Sequence, residues 1–169
     1  MSIFDIPAKD AQRLIPLLHQ VHNLHVLHQP ARYRALPDDE SLADWLSDWL
    51  AAPGLTALGY ARDKDLVGYL IYEVEKRQPT PFRASETRFM LHHICVDAMH
   101  RRKGIAKMLI AELDARARAE KADVLGVTYA TFNITSAALM VQAGFSPAYI
   151  YAEHRLDVGS AKVHSVTCN

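Results

Sequence analysis

The chain has 169 residues, half of them hydrophobic and 22% charged, which excludes a disordered polymer and supports one packed core burying roughly 70% of the surface of the unfolded chain. Lys plus Arg and Asp plus Glu both total 19 and the sequence pI is about 7.1, so the overall field gives no reason to expect a nucleic-acid partner. With no run of about 18 apolar residues and no basic-then-apolar leader in "MSIFDIPAKDAQ", the expectation is a cytoplasmic protein that does not enter a membrane, one domain over 1–169 with 158–169 as a loose tail.

In chain order, "SIFDIP" reads as a short strand, and Asp10 is placed to cap a helix whose Leu14, Leu17, Leu18 and Val21 recur at helical spacing and which ends near Pro30. Leu42, Trp45, Leu46, Trp49 and Leu50 fall on one face of a second helix, with Asp38 or Asp39 at its N-terminus and Pro53 and Gly54 beyond its end. "LTALGYA" and "LVGYLIYEVE", joined by "RDKD", predict a hairpin; "KRQPTPFRAS" predicts a loop and "ETRFMLHHICVD" a long strand. The segment 104–120 is the strongest helix, with Ile105, Met108, Leu109, Leu113 and Ala117 on one face. A strand "VLGVTYA", a helix over about 135–143 stopped by Gly144, and a last strand around "YIYAEHRLDV" complete the prediction.

The stretch "HRRKGIAKML" places His100, Arg101, Arg102 and Lys103 between a strand and that strong helix. Helix N-termini carry unpaired N–H groups and the positive end of the helix dipole, and Gly104 lets an anion approach the backbone. Arg101, Arg102, Lys103 and Lys107 would add charge-assisted contacts. Read alone, the stretch is equally an anion cradle or a solvated helix start that merely carries charge, and a basic patch for nucleic acid is disfavoured by the neutral overall charge. Cys95 and Cys168 form no CxxC pair, which suggests neither a disulfide framework nor a zinc site. His19, His22, His25 and His28 recur every third residue, but on a helix each step drifts by about 60°, so the four do not converge and no metal site is assigned.

"VDAMHRRKGIA" resembles the acetyl-CoA motif of the GNAT acyltransferase superfamily, Arg/Gln-x-x-Gly-x-Gly/Ala, with Arg101, Gly104 and Ala106 in the defined positions. "NITSAALMVQAGF" is similar to the family's second motif at Asn133, Ser136, Leu139, Gly144 and Phe145. The two occur in the family's order, and the resemblance runs from about Ile3 to Asp157. It implies an α/β (α+β) fold with a mixed, largely antiparallel sheet of roughly six to seven strands flanked by about four helices, splayed between the strands of Ile94 and Val127. It further implies acetyl-CoA as co-substrate, the pyrophosphate taken by the turn of Arg101, Arg102, Lys103, Gly104, Ile105, Ala106 and Lys107, and the pantetheine arm by the main chain of Ile94, Cys95 and Val96. Asn133 and Ser136 match cofactor-lining positions, though an Asn there is also an ordinary helix cap. A small-molecule or peptide primary amine would be the acceptor, no nucleic acid or membrane is implied as partner, and homodimers are common in the superfamily.

One position departs from the pattern. The tyrosine that can protonate the departing thiolate corresponds to Met140, leaving Tyr149, Tyr151 or water as donor; a thiol of pKa about 8.5 leaves without much help near neutral pH. An amine of pKa about 10.4 must lose a proton before attack. His92 falls where several GNAT members carry a Glu or His base, and His93 points to the other sheet face unless a bulge intervenes. Either histidine is also readable as a hydrogen-bonded strand residue. Trp45, Trp49 and Tyr33, with the acidic Asp38, Asp39 and Glu40, lie in the part that in this family helps to form the acceptor pocket, although core packing and a helix dipole explain them as well. The sequence thus points to an acetyl-CoA-dependent N-acetyltransferase, with an acyl-CoA-binding regulatory module lacking transfer activity as the alternative.

Overall fold

The computed structural model describes residues 2–155. Five strands form one sheet in the order β1-β2-β3-β4-β5: β1 (Ser2–Ile6), β2 (Leu55–Arg62), β3 (Asp65–Arg77), β4 (Glu86–Val96) and β5 (Val124–Val127). The first four pair antiparallel and β5 joins β4 in parallel. The parallel step requires a crossover, which is the helix α3 (Ile105–Ala119). Helices α1 (Ile15–His28) and α2 (Asp39–Leu50) lie before the hairpin, and α4 (Ile134–Gln142) follows β5.

Alternation along the strands sends side chains to two separate cores. On one side Ala57, Tyr69, Ile71 and Cys95 pack with Leu17 and Leu18 of α1 and Leu42, Leu46 and Leu50 of α2. On the other, Leu58, Leu70, Tyr72, Phe89 and Leu91 pack with Ile105, Leu109, Ile110 and Leu113 of α3 and with Met140 of α4. In α3, Ile110 is buried and Met108 is exposed, a small rotation of the expected face. In α2 Trp45 is likewise exposed, stacked on the half-buried Trp49.

Two expectations are corrected. Asp10 does not cap a helix: it lies inside a 3-10 turn, Ala8–Leu14, that starts after Pro7, and α1 begins only at Ile15. Pro16 has no N–H and is tolerated in the first turn of an α-helix, which sets the start there. The predicted last strand is also not formed in its described part. Residues 143–155 are irregular, Tyr149, Ile150 and Tyr151 are 79%, 93% and 84% exposed, and β propensity without a neighbouring strand and a face to bury does not make a strand. The sheet therefore has five strands among the described residues rather than six to seven; residues 156–158 of that prediction, the tail and Cys168 lie outside them.

Leu109 is fully buried at the centre of the α3 core. Leu109→Ala is expected to cost about 2–5 kcal/mol of unfolding free energy, read from urea titration; a loss below about 1 kcal/mol would mean that α3 is not packed on the sheet as described.

Candidate functional site

The site is built on the end of β4. Opposite β3, His93 pairs with Ile71 and Leu91 with Tyr72, so His92 is one extra residue in β4. This is a β-bulge, and it reverses the alternation along the strand. Phe89 and Leu91 face α3, whereas Cys95 faces α1 and α2, although all three stand at even spacing. His92 and His93 consequently lie on the same side, both edge-on to Trp49 of α2, with ring centroids 6.1 and 5.7 Å away.

The same place ends the pairing with β5. The parallel ladder runs from Arg88 with Val124 to Leu91 with Val127 and stops, while β4 continues to Val96. Asp97 donates its amide to Val67 of β3 at 2.9 Å, and by antiparallel alternation the N–H and C=O groups of Ile94 and Val96 point away from β3 into the gap beyond β5. The Val96 carbonyl accepts from Arg101 Nε at 3.0 Å. Ile94 and Val96 are half-buried toward the α3 side, and Cys95 is buried on the other. The Cys95 thiol donates to the Leu17 carbonyl, and burial pushes it up to about 11, so it is packed and protonated rather than an activated nucleophile.

After β4 the chain turns through residues 97–104 into α3. Asp97 organises the turn, accepting from Gln20 Nε2 at 2.9 Å, the Met99 amide at 2.9 Å and His100 Nδ1 at 3.0 Å. Bonds from Gln20 and then His100 hold its carboxyl below the usual carboxylate range. Gln20 Oε1 in turn accepts from the Ala98 amide. Gly104, at φ 81°, has the left-handed conformation that favours glycine, and Arg102, at φ 64°, shares it. The amides of Arg102, Lys103, Gly104, Ile105, Ala106 and Lys107 have no hydrogen-bond partner among the described residues. By contrast, Asp38 caps α2 by accepting from the Ser41 amide, and Asn133 caps α4 by accepting from the Ser136 amide. Of the cations, Arg101 and Lys103 are committed to the carbonyls of Val96 and Met99, while Arg102 and Lys107 make no ion pair or hydrogen bond among the described residues. A run of free amides flanked by two free cations suits a phosphate group.

On the α1 side, His19 pairs with Asp39 at 2.9 Å and His22 donates to the Arg34 carbonyl. His25 packs against Tyr33 and Phe132, and His28 stacks on Phe132 at 4.5 Å. His92 meets Glu73 of β3, Nε2 to Oε2, at 2.9 Å. Tyr149 and Tyr151 stand exposed on the irregular segment after α4, which Glu153 ties to Arg32.

The model of a family described as acetyltransferase (GNAT) matches residues 18–145. The chain belongs to the GNAT family. Among solved structures, a tetramutant of the BH1408 protein from Bacillus halodurans has a TM-score of 0.83 at 17% identity, covering 92% of this chain and 100% of that one. A ribosomal-protein-alanine N-acetyltransferase from Brucella melitensis biovar Abortus 2308 has a TM-score of 0.70 at 24% identity, with coverage of 92% and 100%. The aminoglycoside N-acetyltransferase AAC(6')-Iy, solved with CoA, has a TM-score of 0.70 at 17% identity, with coverage of 92% and 94%. At these identities the likeness is one of GNAT fold. No curated protein matches the sequence.

Within the GNAT frame, Met140 is 1% exposed and belongs to the α3 core, so the position that often carries a tyrosine in this family holds a packed, non-ionising side chain. Asn133 uses Oδ1 for its cap and leaves Nδ2 without a partner among the described residues. Sequence reasoning missed Glu73, Gln20, Asp97 and Phe132. Gln20 and Asp97 are 77 residues apart, and no local pattern announces such a pair; the hairpin register would have led to Glu73 only with the bulge known.

Burial first, then the nearby His92, His25 and His22, pushes the His93 imidazole down to about 4 from 6.5. Folded His93 stays neutral while the unfolded chain takes up a proton, so its contribution is nil above pH 6.5 and becomes a penalty as pH falls toward 4. His25, lowered by burial, His22 and His28, adds to the same slope. Between pH 6.5 and 4, His93 is expected to remove up to about 3 kcal/mol of unfolding free energy, and urea titrations of His93→Phe should show a shallower decline. An identical pH slope in that variant would clear His93 of the effect.

Proposed function

We propose that this GNAT protein is an N-acetyltransferase that passes the acetyl group of acetyl-CoA to the primary amine of a small-molecule or peptide acceptor, by direct attack in a ternary complex. The observation that carries this reading is the meeting, at one end of β4, of a turn of unpartnered amides, an unpaired stretch of main chain, and two histidines brought to one face by a bulge. The structurally similar alanine and aminoglycoside N-acetyltransferases are named for amine acceptors, which supports the same class here.

Acetyl-CoA supplies a thioester whose acyl carbon accepts an amine with release of the CoA thiol. The amides of Arg102, Lys103, Gly104, Ile105, Ala106 and Lys107, with the side chains of Arg102 and Lys107, bind its pyrophosphate. The main-chain groups of Ile94 and the N–H of Val96, which point away from β3, pair with its amide-bearing arm, the Val96 carbonyl being already taken by Arg101, and an N–H near Val96 polarises the carbonyl oxygen. By their motif positions Asn133 and Ser136, at the start of α4, add contacts to the cofactor. His92 takes the amine proton as the new C–N bond forms and the C–S bond breaks. His93 is the poorer base, because an imidazole held down to about 4 has little affinity for a proton at neutral pH. Met140 offers no proton, so the thiol proton comes from water, Tyr149 or Tyr151.

Calorimetric titration with acetyl-CoA, with CoA and ATP as controls, is expected to show micromolar binding of acetyl-CoA and none of ATP. Gly104→Val, which forces a β-branched residue to φ 81°, should weaken acetyl-CoA binding about tenfold. In a thiol-release assay over a panel of primary amines, His92→Ala should slow transfer about a hundredfold at neutral pH while leaving acetyl-CoA affinity nearly intact. Full activity of His92→Ala across the pH range would refute the base assignment. The buried Met140 favours one other reading, an acyl-CoA-binding module without transfer; acetyl-CoA binding with no turnover of any amine would select it.

A further inference from the structure

We infer that Glu73 is a positioning residue for His92, holding the imidazole in the tautomer whose Nδ1 lone pair is free for the acceptor amine; this rests on the acetyltransferase reading above. Glu73 Oε2 lies 2.9 Å from His92 Nε2. An ionised carboxylate only accepts, so the shared proton sits on Nε2 and the basic lone pair is left on Nδ1. Nδ1 makes no hydrogen bond among the described residues.

The contact is a product of the bulge. Glu73 stands opposite Met90 in the ladder, and the extra residue in β4 brings the His92 ring onto the face where the Glu73 carboxylate reaches it. Trp49 meets the imidazole edge-on at 6.1 Å, so the ring is held from α2 as well as from β3. Glu73 is itself backed by the turn after α2: a Cβ at Gly54 would lie 3.7 Å from Glu73 Cγ and 2.9 Å from the Val74 carbonyl. No other ion pair claims Glu73 among the described residues, whereas the next outward carboxylate on the strand, Glu75, is taken by Arg77. His92 and Glu73 side chains are 33% and 36% exposed. An exposed pair of this kind contributes little to stability, which makes orientation of the imidazole its main effect.

Nitrogen-15 spectra of histidine-labelled protein, with His92 assigned by its absence in His92→Ala, read the tautomer directly without an acceptor. In the native chain His92 is expected as the Nε2–H form. Glu73→Gln, whose amide oxygen still accepts, should keep that form, and Glu73→Ala should give a tautomer mixture. With acetyl-CoA and the best amine of the panel, Glu73→Ala should lower kcat about tenfold, a fraction of a general base's full contribution, with the KM for acetyl-CoA unchanged and Glu73→Gln recovering most of the rate. If Glu73→Ala keeps both the Nε2–H form and the native kcat while His92→Ala is slow, the positioning role is wrong and His92 stands as base alone. If His92→Ala is as fast as the native chain, or if the native chain turns over no amine, the acetyltransferase reading of His92 fails and the positioning role falls with it. Should Glu73→Ala not fold, Glu73→Leu takes its place in both measurements with the same outcomes.

Discussion

A single extra residue in β4 sets the geometry of this protein. A strand shows its side chains alternately to two faces, and one inserted position exchanges the faces for everything beyond it. Before His92 the odd-numbered residues Phe89 and Leu91 serve the α3 core; after it the odd-numbered Cys95 serves the α1 and α2 core. Because both cores are filled, the bulge cannot be lost without sending Cys95 and Ile94 each to the opposite layer, and it cannot move back onto Leu91 without disturbing a side chain buried in the α3 core. Packing on two sides therefore fixes where the two histidines stand, and the local irregularity is held by long-range contacts rather than by turn residues.

Pairing with β5 ends at the residue before this irregularity. A parallel neighbour needs an evenly spaced set of N–H and C=O groups, and a bulge interrupts that spacing. The gap beyond Val127 and the histidine pair thus have a common origin, and the turn of 97–104 then delivers α3 with its uncapped first turn at the same end of the sheet. Three features that chemistry would have to bring together are neighbours because they follow one another along a single stretch of chain.

Much of this was legible before any coordinates. The hairpin, the long strand, α2, α3 and α4 follow from periodicities of two and 3.6 and from Gly and Pro punctuation, and the two motifs led to the right family. Two local elements were not legible. Asp10 has the chemistry of a cap, but Pro16 further along decides where the α-helix can begin. The segment around Tyr149 has strand composition without a strand beside it among the described residues. At the site, the basic turn could be read because its residues are contiguous. Glu73, Gln20 and Phe132 could not, since each acts through a partner distant in sequence. Whether His93 shared a face with His92 hinged on a bulge that periodicity alone does not reveal.

Gln20 ties helix α1 to the turn ahead of α3 through one side-chain amide, donating to Asp97 and accepting from Ala98. Helix α1 also carries His22, His25 and His28, the rings that meet Tyr33 and Phe132. Hydrogen bonds have a short reach, so any sliding of α1 by more than a fraction of an ångström must either drag the Asp97 turn along or break both contacts. The aromatic end of that helix and the turn of 97–104 are therefore linked through one glutamine side chain: a shift of α1 at Tyr33 and Phe132 reaches the turn for as long as the two Gln20 contacts hold.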